Sequence, residues 1–325
     1  MKHKQLIIGC LLTSIIAISG CGSEVNSGTD NSTIWETVDN TNEISGTSSD
    51  NSSSSANDVG SNNSDDNSNS NTEDVFEHDY HDEIIEDVNN VVTASATIKE
   101  ELENIQTVTD KYEALFNTAT TQFEMNQAAG WYYQIWDAEL NNLWSRFSNL
   151  ADEDTKQRVL STQRNWNNMK EDVIIAELGP REEGGSIYPL ERFSELEEMT
   201  KTRSYIIANE LAKITGETFT MPERSSKYGT FVDDQGTGDI YSTLITRPGW
   251  EEGTNEAIIS IYREGEVEGT FVENSDGTLS FTSNDGNVEG IITINCWEGA
   301  SFKVTSVTDA SFLSTDETHQ FSFVF

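Results

Sequence analysis

Residues 121–147 read TQFEMNQAAGWYYQIWDAELNNLWSRF. Phe123, Ala128, Tyr132, Ile135, Trp136, Leu140, Leu143, Trp144 and Phe147 recur every three or four positions, which lays their side chains along one face of an α-helix. Thr121 followed by Glu124 is a capping box, in which the hydroxyl and the carboxylate each take a backbone N–H left unpaired in a helix's first turn. The segment therefore predicts an amphipathic helix with a defined start.

The same period extends outward in both directions. Upstream, Ile84, Val88, Val91, Ser95, Ile98, Leu102, Ile105, Val108, Tyr112 and Leu115 form one stripe and predict a single long helix. Downstream, Asp152 caps a third helix carrying Val159, Leu160, Gln163, Trp166, Met169 and Val173, and Gly179-Pro180 stops it. A fourth runs from about Leu190 to Ile214. Four amphipathic helices with short links predict an antiparallel bundle over residues 81–222, with the aromatic stripes as its core.

From residue 227 to 325 the period changes to two. Phe231, Leu244, Ile259, Ile261, Phe271, Leu279, Phe281, Ile292, Ile294, Phe302, Val304, Phe321, Phe323 and Phe325 alternate with polar residues and predict about eight strands. Asp276-Gly277 and Asp285-Gly286 are signals for two-residue hairpin turns. Sequential hairpins favour an up-and-down meander, closed as a small barrel or folded as a sandwich, in which the last strand completes closure. Ser225-Ser226 is the expected hinge, and the fold class is multidomain α+β.

The N-terminus reads as a processing signal. Lys2 and Lys4 precede an apolar run from Leu6 to Ile18 that is too short for a membrane span, and Ser19-Gly20-Cys21 follows. This resembles a lipobox, which implies a signal peptide over residues 1–20, a lipid on the Cys21 thiol and an extracytoplasmic protein anchored to the cell membrane. Residues 21–80 are rich in Ser, Asn and Asp, cannot bury a core, and predict a disordered tether with a span of roughly 45 Å. With Cys10 in the signal and Cys21 acylated, Cys296 remains alone, expected as a half-buried strand residue.

The chain has 19 Lys and Arg against 57 Asp and Glu, a formal net charge of −38 in 325 residues. Such a field repels phosphate backbones, so nucleic acid is a poor partner and a basic protein a good one. The four histidines are His3, His78, His81 and His319, which leaves no Ser-His-Asp or Cys-His site for the bundle. His78, Asp79, His81 and Asp82 are close together, but ordering a flexible segment opposes chelation, and neither metal nor cofactor is expected. Trp250 and Trp297 are expected to cover the barrel's ends.

An ordered set of short matches resembles the lysozyme inhibitor LprI-like N-terminal domain family over about residues 120–212. The set comprises Met125-Asn126-Gln127-Ala128-Ala129, Tyr133, Asp137-Ala138-Glu139-Leu140-Asn141, Leu160, Gln163-Arg164-Asn165-Trp166, Glu171-Asp172, Gly184-Gly185-Ser186, and Thr200 with Arg203. Family members commonly carry Cys at the position of Ala128, so the disulfides the family implies are absent here. The resemblance implies a helical, non-enzymatic inhibitor whose partner is a lysozyme. The candidate contact is the link between the third and fourth helices, Arg181, Glu182, Glu183, Gly184, Gly185 and Ser186, expected as a mobile loop. The alternative is a surface module that binds carbohydrate or peptide through the barrel.

Overall fold

The computed structural model describes residues 75–309 and 311–325. The lipobox, Cys21 and nearly all of the expected tether lie outside the described residues. The helical region comprises α1 (His81–Ala94), α2 (Ile98–Phe116), α3 (Gln122–Leu150), α4 (Glu153–Leu178), the single turn α5 (Arg181–Gly184) and α6 (Tyr188–Thr215).

The expected first long helix is two helices. Thr97 accepts a hydrogen bond from the Glu100 N–H at 3.1 Å, and the Glu100 carboxylate accepts from the Ala96 N–H at 2.9 Å, so a new helix starts at Ile98. The chain doubles back there: Tyr80, before α1, meets Tyr112 near the end of α2 edge-on at 5.7 Å. The Tyr112 hydroxyl donates to Asp87 of α1 at 3.1 Å. Both halves bury their stripe against α3, which is why periodicity alone does not reveal the reversal. The later boundaries follow their sequence signals. The Thr121–Glu124 capping box forms, Asp152 caps α4 through the Thr155 N–H at 2.9 Å, and Gly179, with φ 78°, ends it.

Leu140, Leu143, Trp136, Phe147, Trp166, Leu196 and Ile207 are buried among these helices. A polar cluster is buried with them. Glu101 of α2 forms a two-pronged ion pair with Arg146 of α3, and Glu139, fully buried on α3, lies beside it. Burial first, and then the Glu101 carboxylate, hold the Glu139 carboxyl well above the usual carboxylate range. This favours the neutral carboxyl, and neither Glu139 oxygen has a hydrogen-bond partner within reach among the described residues.

The strands are β1 (Gly229–Asp233), β2 (Ser242–Pro248), β3 (Asn255–Ile261), β4 (Gly265–Glu273), β5 (Leu279–Ser283), β6 (Val288–Ile294), β7 (Ala300–Val307), β8 (Thr318–Phe321) and β9 (Phe323–Val324). They form one antiparallel sheet in the order β8-β7-β6-β5-β4-β3-β2-β1-β9. The last pattern breaks at Ser322. β8 pairs with β7, whereas β9, two residues on, pairs with β1, so one continuous segment bonds to both edges and brings the sheet to a nearly closed barrel. This is the barrel alternative, with nine strands in place of about eight.

Phe231, Leu244, Ile259, Phe271, Phe281, Ile292, Phe302 and Phe321 fill the barrel. Two strand glycines make room for the rings. A Cβ on Gly290 would lie 2.2 Å from the Phe302 ring, and one on Gly269 would lie 2.6 Å from the Phe281 ring. The Asp-Gly hairpins turn where expected but through longer loops. Residues 274–278 and 284–287 connect the strands, and the Asp276 and Asp285 carboxylates accept N–H groups two residues on, at 3.0 Å each.

The barrel packs on α4 and α6. Asn165 donates to Asp234 at 2.9 Å, and Arg247 donates to the Glu177 carbonyl at 3.0 Å. Arg224, beside the expected hinge, donates to Thr202 of α6 at 3.0 Å and to the Phe325 carbonyl at 2.8 Å.

Candidate functional site

The Arg181–Ser186 link is not an open loop. Arg181–Gly184 makes one α-turn, Gly185–Ile187 continues as a 3₁₀ turn, and α6 follows directly. Gly184 is required by packing, because a Cβ there would lie 2.4 Å from the Tyr188 ring, and Gly185 is required by its φ of +62°. The link is therefore two consecutive helical turns in place of the expected open loop. Asn126 donates to the Ser186 carbonyl at 3.2 Å and ties the link to the second turn of α3. Arg181, Glu182, Glu183, Gly185 and Ser186 remain exposed, so the link presents charge at one end of the helical region on a held backbone.

Some of the residues that carry the family resemblance are interior. Ala128, Ala129, Glu139, Leu140, Gln163, Trp166, Thr200 and Arg203 are all buried. Arg203 donates to Gln163 at 2.6 Å and to Thr162 at 2.8 Å, and burial lowers its pKa to about 9. These residues set how the helices pack, and a partner would meet the exposed ones around them.

A cavity of about 500 Å³ lies where helices and barrel meet, lined by Glu177, Glu195, Glu198, Tyr205, Arg224 and Trp297 among others. Arg224 and Trp297 are committed to the joint. The Arg224 guanidinium lies 4.7 Å from the Trp297 ring centre, and the Trp297 indole N–H donates to the Pro222 carbonyl at 2.9 Å. Burial, with Glu177 and Glu198 adding like charge, raises Glu195 to about 7, and burial also raises Glu177. Glu177 accepts a hydrogen bond from the Thr230 hydroxyl, which ties it to β1.

Among the described residues no group of three or more His, Cys, Asp or Glu is disposed to hold a metal. The acidic and histidine side chains around residue 80 serve the start of α1: His78 contacts Glu83 at 2.7 Å and Asp79 accepts the His81 N–H at 3.0 Å. Cys296 is not in a strand. It is exposed in a one-turn 3₁₀ segment, Cys296–Glu298, with φ 52°, because the chain turns sharply there to bring Trp297 against the helical region. Trp297 therefore contacts the helical region from the β6–β7 connection.

Trp250 is the other departure, 97% exposed at the tip between β2 and β3. Its sequence signal is its setting, Pro248-Gly249-Trp250-Glu251-Glu252-Gly253, a turn composition in which the tryptophan belongs to neither face of a strand.

Residues 117–206, from just before α3 into α6, match the sequence model of the family described as lysozyme inhibitor LprI. The matched span contains the Arg181–Ser186 link and excludes α1, all of α2 and every strand. No curated protein and no solved structure matches the chain.

Proposed function

We propose that this protein is a non-enzymatic lysozyme inhibitor, held at the outer face of the cell membrane by a lipid on Cys21. The match of residues 117–206 to the LprI family carries the reading, and the net charge of −38 supports it, because an acidic body attracts a basic enzyme over the Debye length. The exposed Arg181–Ser186 link is the contact proposed within the matched span. Its carboxylates offer acceptors to a basic surface, and its held backbone loses little freedom on binding.

Added to a suspension of cell walls, the protein is expected to slow lysis by a basic c-type lysozyme and to cause no clearing alone. Unslowed lysis would reject inhibition, and clearing by the protein alone would make it a hydrolase. In surface plasmon resonance, association should slow as salt rises while dissociation changes little. Replacing Arg181, Glu182 and Glu183 together by Ala should speed dissociation by roughly tenfold, within the range of interface truncations. An unchanged rate would place the contact outside the link. Anchoring is tested separately: Cys21→Ala is expected to move the protein from the membrane fraction to the soluble one, and its persistence in membranes would reject lipidation at Cys21.

A further inference from the structure

β2 and α4 run alongside each other in the same direction. Near the middle of α4, Asn165 donates to Asp234, just after β1. Near its end, the Glu177 carbonyl accepts from Arg247, one residue before β2 ends. The β2–β3 hairpin tip therefore emerges beside the C-terminal end of α4, the same end from which the Arg181–Ile187 link emerges. The two segments belong to different layers, and only the first lies outside the span that matches the family.

The tip is built to hold its shape. Gly249 N–H donates to the Thr254 carbonyl at 2.8 Å, Thr254 N–H and hydroxyl donate to the Glu251 carbonyl at 3.0 and 2.6 Å, and Trp250 N–H donates to the Glu256 carboxylate at 3.2 Å. On this constrained backbone the indole stands in water. The other described tryptophans, Trp131, Trp136, Trp144, Trp166 and Trp297, are buried or half-buried. An exposed tryptophan on a hydrogen-bonded turn gives a partner a large apolar area with only two side-chain torsions to order, and tryptophan is enriched among residues that dominate binding energy. Exposed Glu251 and Glu252 flank it, and exposed Glu182 and Glu183 stand on the link at the same end. That arrangement disfavours an anionic bilayer and suits a basic protein.

We propose that Trp250 anchors the lysozyme-binding surface: its indole enters an apolar recess of the enzyme while Glu251 and Glu252, with the link's carboxylates, face the lysines and arginines around it. This rests on the inhibitor reading above and adds a contact from the barrel.

The test is surface plasmon resonance of the full-length protein in detergent against a basic c-type lysozyme. It compares wild type, Trp250→Ala, Glu251→Gln with Glu252→Gln, and Asp154→Asn at the opposite end of α4 as a control. Trp250→Ala should weaken binding roughly thirtyfold, mostly through faster dissociation, as for an interface hot spot. The double Gln variant should associate more slowly at low salt, and Asp154→Asn should match wild type. Wild-type binding that Trp250→Ala leaves unchanged overturns the anchor and leaves the inhibitor reading standing. No binding by wild type overturns both. Each protein is also titrated with free N-acetylglucosamine oligosaccharides. If these bind wild type and not Trp250→Ala, with lysozyme affinity equal for the two, the tip is a saccharide platform and the proposal fails.

Discussion

Replacing Arg146 by Met is expected to destabilise the helical region by ~3 kcal/mol, measured as a shift in the urea midpoint followed by far-ultraviolet circular dichroism. Removing one partner of a buried ion pair leaves the other uncompensated, which typically costs about 3–5 kcal/mol, and the lower end applies because Arg146 is a third exposed. Glu101 is 2% exposed and would lose both guanidinium hydrogen bonds while keeping Glu139 against it. A loss under about 1 kcal/mol would show that water reaches the cluster. Glu139→Gln should act in the opposite sense, and only at higher pH. An unfolded glutamate titrates near 4.5 and the folded Glu139 well above it. Below the unfolded value both states are protonated. Above it the unfolded chain releases the proton while the folded one keeps it, so this residue makes stability fall as pH rises, until the folded value is passed. The slope is at most about 1.4 kcal/mol per pH unit. Glu139→Gln should flatten that slope, leave stability near pH 4 unchanged and raise it near pH 8. Parallel pH profiles for the two proteins would show that Glu139 is charged in the fold.

Deleting residues 318–325 is expected to unfold the barrel. The segment supplies the partners of both sheet edges and buries Phe321, Val324 and Phe325. Truncating one buried phenylalanine costs about 3–5 kcal/mol, and a whole domain has only about 5–15 kcal/mol in hand. Losing two such rings with the strand pairing exceeds the margin. Phe321→Ala, which keeps the backbone pairing, should remain folded with a lower thermal midpoint. The observable is the set of dispersed amide resonances from residues 229–309 in a ¹H–¹⁵N spectrum. Their survival in the truncated protein would mean that the remaining strands close without help.

Local signals were readable where one or two side chains decide a boundary. Thr121 with Glu124, Asp152, and Gly179-Pro180 each act on the nearest turn, and the helices begin and end at them. Thr97 and Glu100 have the same spacing as Thr121 and Glu124, yet the apolar stripe continues in phase from Ile84 to Leu115 and hides the reversal between them. The barrel was legible as an alternation, whereas the break at Ser322 depends on where two distant edges meet. Gly184 and Gly185 read as flexibility because composition alone does not show that the link is helical, which is what brings the Tyr188 ring, four residues on, over Gly184. Trp250 was visible as an unusual residue, but its nearness to Arg181–Ser186 depends on β2 lying along α4, which no short window of sequence contains.

The closing segment also fixes an order in time. Phe231 can pair with Val324 only after every intervening strand has been made, so β1 keeps an unsatisfied edge through the whole synthesis of the meander. A contact this distant in sequence carries a large loop-closure entropy and forms late. Until it forms, β1 and β7 are open templates on which another chain can add a strand. The acidic residues that repel one copy from another then have a use before any partner is met: they lengthen the interval in which an unclosed sheet can wait for its own last strand.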